Sequence, residues 1–89
     1  MKLIKFSALW CPSCLIMNGR INKIINKYNL ECVEYDYDID TDKVDTYKVG
    51  DILPVIIIEN NNKEIIRIIG EKSDKELDKI LEGVIDEKN

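Results

Sequence analysis

Eighty-nine residues, 45% hydrophobic and 34% charged, suit one small globular domain and exclude wholesale disorder. Thirteen lysines and arginines against seventeen carboxylates give a net charge of −4, without the clustered cations that a nucleic-acid backbone demands. Apolar runs such as Val55–Ile58 fall far short of the about 20 residues that cross a bilayer, and the absence of histidine removes imidazole catalysis, haem attachment through C-x-x-C-H and His-dependent zinc sites.

At the N-terminus a lysine and apolar residues loosely resemble an export signal. Lys5 interrupts them, however, and they run straight into Trp10-Cys11-Pro12-Ser13-Cys14, leaving no adequate apolar segment before a cleavage site. A strand over Lys2 to Phe6 and a cytosolic location, where thiols stay reduced, are therefore expected. From Pro12 to about Tyr28 the apolar residues Cys14, Met17, Ile21, Ile24, Ile25 and Tyr28 recur at helical spacing. Pro12 suits the first helical turn and Asn29 a left-handed stop. Glu31 to Tyr37 alternates as a half-buried strand, with Val33, Tyr35 and Tyr37 on one face. The run Asp36, Asp38, Asp40, Asp42 lacks the glycine and terminal glutamate of a calcium loop, so it reads as a solvated turn. A short helix to about Lys48 follows, with Val44 and Tyr47 inward and Gly50 and Asp51 as its breakers. Val55–Glu59 and Lys63–Ile69, joined by Asn60-Asn61-Asn62, form a hairpin, because asparagine tolerates positive φ. Ser73-Asp74-Lys75-Glu76 matches a capping box opening a helix whose inner face is Leu77, Ile80, Leu81, Val84 and Ile85. The order β-α-β-α-β-β-α predicts one α/β domain over residues 1–89: a four-stranded mixed sheet with helices on both faces.

This order puts the N-terminus of the first helix, and with it Cys11 and Cys14, at the C-terminal edge of the first strand. Disulfide exchange needs a thiolate, and a helix N-terminus favours one through its dipole and unsatisfied N–H groups. Cys11, at the predicted cap, is the candidate nucleophile, and Cys14, one turn further in, the candidate resolving thiol. The competing reading is a metal-binding module with Cys11 and Cys14 as ligands. Only Cys32 could add a third ligand of that kind, so redox chemistry is favoured and no metal is expected. Cys32 itself reads as a small filler residue on an edge strand.

Trp10-Cys11-Pro12-Ser13-Cys14 after a strand, Leu53-Pro54 before the hairpin and the late Gly70 together resemble the thioredoxin-fold family, in its small thioredoxin or glutaredoxin-like form. The resemblance covers essentially the whole chain and implies a minimal thioredoxin fold. It also implies a cis Leu53–Pro54 bond against the cysteine pair, and a shallow apolar groove around Cys11 lined by Trp10, Leu53, Pro54 and Gly70. In the family the backbone before the cis-proline pairs with an extended substrate segment, a short case of β-augmentation. Partial core packing is an equal reading of Trp10.

The resemblance implies reduction of protein disulfides by a monomer through the redox-active Cys11–Cys14 pair, with no bound cofactor. Recycling would fall to a thioredoxin reductase-like enzyme or a low-molecular-weight thiol. A glutathione-dependent, glutaredoxin-like activity is the alternative. The start of the last helix favours the thioredoxin type, since it offers Ser73 and Asp74 without the double glycine of glutaredoxins. One departure concerns the first strand: where thioredoxins carry a buried aspartate six residues before the first cysteine, this chain has Lys5. Its ammonium is expected to turn to solvent along the short strand.

Overall fold

In the computed structural model, which describes residues 1–88 and side chains as far as Ile85, the two innermost strands decide the architecture. β1 (Lys2–Ser7) pairs in parallel with β2 (Glu31–Asp36) and antiparallel with β3 (Val55–Asn60). β4 (Lys63–Ile69) folds back antiparallel on β3, giving the sheet order β2-β1-β3-β4. Successive side chains of a strand point to opposite faces, so apolar β1 and β3 need cover on both sides. Leu3, Ile56 and Ile58 pack with Met17, Ile21 and Ile24 of α1 (Pro12–Tyr28) and Leu77, Leu81 and Val84 of α3 (Asp74–Lys88). On the other face Ile4, Phe6, Val55 and Ile57 lie under Val44 of α2 (Thr41–Thr46) and under Tyr35 and Tyr47. The Phe6 ring meets those of Tyr35 and Tyr47 at centroid distances of 5.3 and 5.6 Å. The order β1-α1-β2-α2-β3-β4-α3 is the one expected from the sequence.

Local signals set the element ends. Asn29 (φ 53°) stops α1 in the left-handed conformation, with the Leu30 N–H donating to the Ile25 carbonyl at 3.0 Å. The hairpin turns on two asparagines rather than three. Asn60 pairs with Lys63 in the ladder, while Asn61 and Asn62 (φ 55° and 64°) form a two-residue loop whose twist matches the strands. Ser73 and Glu76 cap α3 reciprocally, through bonds of 3.1 and 3.2 Å.

α2 differs from expectation. It ends at Thr46, and its stop is not Gly50 but Lys48, which holds φ 54°. The Lys48 N–H donates to the Asp45 carbonyl at 3.2 Å and the Val49 N–H to the Val44 carbonyl at 3.0 Å. Val49 packs on the same cluster as Val44, so this hydrophobic closure outweighs the steric cost of a side chain at positive φ.

Candidate active site

β1 delivers the chain to its C-terminal edge, where the Cys11 N–H donates to the Ala8 carbonyl at 3.2 Å. Cys11 then takes an extended conformation (φ −95°, ψ 109°) as the N-cap of α1, and Pro12 follows at the first helical position. The cap acceptor is sulfur: Cys11 Sγ receives the backbone N–H of Cys14 at 3.2 Å. The two cysteines thus share the first turn of α1, both as free thiols and both buried. Across from them the Leu53–Pro54 peptide is cis, and the Leu53 carbonyl accepts from Cys11 Sγ at 3.9 Å. Gly70 closes this side. Its N–H donates to the Pro54 carbonyl at 2.9 Å, and its φ of 85° suits glycine.

The two sulfurs are not equivalent. Burial pushes the Cys14 thiol up to about 11, helped by its hydrogen bond with Cys11 and by the Cys11 charge. The Ala8 backbone and the Lys5 ammonium act in the opposite direction. Cys11 lies at the N-terminus of α1, where its sulfur receives one helix N–H, that of Cys14.

The residues expected to surround Cys11 divide by exposure. Trp10 is 60% exposed and takes no part in the core. Its Nε1–H donates to Asp38 Oδ2 at 2.7 Å, and its ring meets Tyr37 edge-on at 6.4 Å. Leu53 and Pro54, expected to line the groove, are buried, and the Leu53 carbonyl is turned to the Cys11 sulfur. Exposed apolar surface nearby includes Leu9, adjacent to Trp10, and Ile52, whose Cγ2 lies 3.5 Å from the point where a Cβ on Gly70 would stand. Both are ordinary apolar residues in the sequence, and only their exposure marks them out.

Lys5 also departs from expectation. Its side chain is 8% exposed, donating to Asn18 Oδ1 at 2.9 Å and pairing with Glu34 Oε2 at 3.2 Å. An interior strand leaves the ammonium no route to solvent, and alternation aims it at α1, where Asn18 satisfies it. Cys32 is exposed on the edge strand, in register with Leu3, toward the end of the sheet opposite the pair. It does not join Cys11 and Cys14, and among the described residues no group of three or more Cys, Asp or Glu side chains is arranged to hold a metal.

The thioredoxin family model matches residues 1–83. Thioredoxin H7 of Arabidopsis thaliana is 35% identical over 80 residues, covering 88% of this chain and 60% of that protein. Bovine mitochondrial thioredoxin is 28% identical over 85 residues, covering 93% and 51% respectively. The chain therefore spans little more than half the length of these curated relatives. Among solved structures, thioredoxin 1 of Thermosipho africanus superposes with a TM-score of 0.89 at 22% identity, covering 100% of this chain and 99% of that one, which shows the fold. A family match over almost the whole chain, on a sheet and helix order of the same architecture, makes this protein a member of the thioredoxin family.

Proposed function

We propose that the protein is a thiol–disulfide oxidoreductase that reduces disulfides in protein substrates, with Cys11 as nucleophile and Cys14 as resolving thiol. The observation that carries this reading is the Cys11 sulfur itself, capping α1 on the Cys14 N–H beside the Leu53 carbonyl. The Cys11 thiolate attacks one sulfur of the substrate disulfide. A bond forms between Cys11 and that sulfur, and the other substrate sulfur leaves as a thiolate that takes a proton from solvent. Cys14 then loses its proton and attacks Cys11 Sγ. The Cys11–Cys14 bond forms as the bond to substrate breaks, so two electrons have passed from the pair to the substrate. The sulfurs carry the electrons, and the reading calls for no cofactor.

An extended substrate strand laid along the Leu53 backbone would meet Trp10, Ile52 and Gly70 with its side chains. Its length and charge are left to the partner. The reading places the chain in a reducing compartment such as the cytosol, acting as a monomer and recycled by a reductase or a small thiol.

Insulin disulfide reduction with dithiothreitol as electron donor tests the assignment. Cys11→Ser is expected to abolish turnover, while Cys14→Ser accumulates a mixed disulfide between Cys11 and substrate, visible by mass spectrometry. Undiminished activity in Cys11→Ser would overturn it. Comparing recycling by glutathione with recycling by a thioredoxin reductase separates the thioredoxin-like reading from the glutaredoxin-like one.

A further inference from the structure

Among the described residues Lys5 is the one buried charged side chain, and the exchange chemistry of the two cysteines does not call on it. An ammonium withdrawn from water is costly unless its partners are well placed. The partners here tie Lys5 to the redox pair. Asn18, which receives the Lys5 hydrogen bond at 2.9 Å, lies four residues after Cys14 on α1 and so shares its helix face. Glu34 holds the ammonium from β2 at 3.2 Å and also accepts from Ser7 Oγ at 3.2 Å. A cleft of about 310 Å3 opens beside this cluster and reaches Cys14, with Asn18, Glu34, Asp36 and Asp40 in its walls.

We propose that Lys5 is a positioning residue for the resolving step: its ammonium, fixed by Asn18 and Glu34, stabilises the Cys14 thiolate that attacks the mixed disulfide. The assignment deepens the proposed oxidoreductase reading and rests on it for its biological meaning. In the mixed disulfide Cys11 carries neither charge nor thiol proton, so two of the influences that hold the Cys14 proton disappear. Burial then remains as the opposing factor, with the Lys5 charge and the Ala8 backbone favouring ionisation. Cys14 gives its proton to water in the cleft. Its thiolate then forms the bond to Cys11 Sγ as the Cys11–substrate bond breaks, and the substrate sulfur leaves as a thiolate.

The other charged or titratable groups around the site are Cys11 before α1, Glu34, Tyr35 and Cys32 on β2, and Asp36 and Asp40 along the cleft. The carboxylates oppose ionisation of Cys14. Glu34 is 57% exposed and screened by water, whereas the ammonium it holds is buried and acts through protein. The ammonium therefore outweighs these carboxylates at Cys14, although burial remains the largest influence there.

Thiolate absorbance titration of Cys14 in a Cys11→Ser, Cys32→Ser background tests this without any disulfide substrate. Lys5→Met is expected to raise the Cys14 titration midpoint by about half a pH unit, leaving roughly threefold less thiolate at a given pH below it. Lys5→Arg, which retains the charge, restores most of the difference. Lys5→Gln, which keeps a hydrogen-bonding group toward Asn18 and Glu34 but no charge, is expected to raise the midpoint as Lys5→Met does, a response that a merely structural role for Lys5 does not produce. An unmoved or lowered midpoint in Lys5→Met overturns the assignment. If Lys5→Met does not fold, an unmoved or lowered midpoint in Lys5→Gln overturns it instead. Either failure leaves insulin reduction by the unaltered protein as the separate test of the oxidoreductase reading.

Discussion

Oxygen side chains are the usual helix caps, and Cys11 fills that position with a larger, softer sulfur. The consequence is a pair whose ionisation is coupled to folding through Cys14. Its thiol rises from an ordinary 9.0 to about 11, chiefly by burial, so the folded reduced protein holds that proton more tightly than the unfolded chain does. Stability from this source is complete below about pH 9 and is lost as pH climbs toward 11. The oxidised form of the proposed Cys11–Cys14 pair has no Cys14 thiol to titrate. Urea denaturation across that alkaline window is therefore expected to cost the reduced form about 1–3 kcal/mol more than the oxidised one. Parallel pH profiles for the two forms would contradict the burial argument. At this scale Cys11 and Cys14 are legible from spacing and Pro12 alone, because one helical turn fixes their relation. The burial of Lys5 is not, since it depends on Asn18 and Glu34, 13 and 29 positions away. The tie from Trp10 to Asp38 is equally hidden, because the acidic run reads as solvent-facing until the turn folds beside the indole.

Elements whose limits are set by neighbouring residues read directly from the sequence. The capping box before α3 and the asparagine hairpin are of this kind, each determined within a few positions. The end of α2 is different, because what stops it is the docking of Val49 on the Val44 side of the sheet rather than a helix breaker. Lys48 therefore sits at positive φ, where an L side chain costs about 1–2 kcal/mol. Lys48→Gly is expected to relieve part of this, raising stability by about 0.5–1 kcal/mol net of glycine's greater freedom in the unfolded chain. Denaturant melts measure the gain directly. The main-chain carbonyl of residue 48, which accepts from Arg67 Nη1 at 3.3 Å, survives the substitution. A loss of stability would mean that the lysine side chain contributes more than its backbone geometry costs.

Seen whole, the molecule is a sheet covered unequally. One face carries two long helices, α1 and α3, which bury Met17, Ile21, Leu77 and Leu81 completely. The other carries the six-residue α2, none of whose residues is fully buried, with Tyr35, Tyr47 and Val49 as partly buried fillers around it. Ion pairs from Lys23 to Asp74 and from Lys27 to Asp78, each at 3.2 Å, also lace α1 to α3, although exposed pairs of this type add little. Local opening follows the buried apolar surface that must be exposed, so α2 should open well below the free energy of global unfolding. Hydrogen exchange is expected to show the amides of Thr41–Thr46 exchanging long before those of β1, β3 and the middle of α1. Two truncations sharpen the expectation. Leu81→Ala removes a fully buried side chain from the shared core and costs about 2–5 kcal/mol, accelerating exchange throughout the central sheet. Val44→Ala thins only the α2 cover, so it speeds exchange in α2 and leaves the slowest amides of β1 and β3 nearly unchanged. Uniform acceleration by Val44→Ala would show instead that α2 unfolds together with the sheet. The cysteine pair, carried by the first turn of α1, is clustered with Phe6, Leu53 and Ile57, against which Val44 of α2 also packs. The site thereby takes its position from the firmly covered layer while lying next to the part of the molecule that opens first.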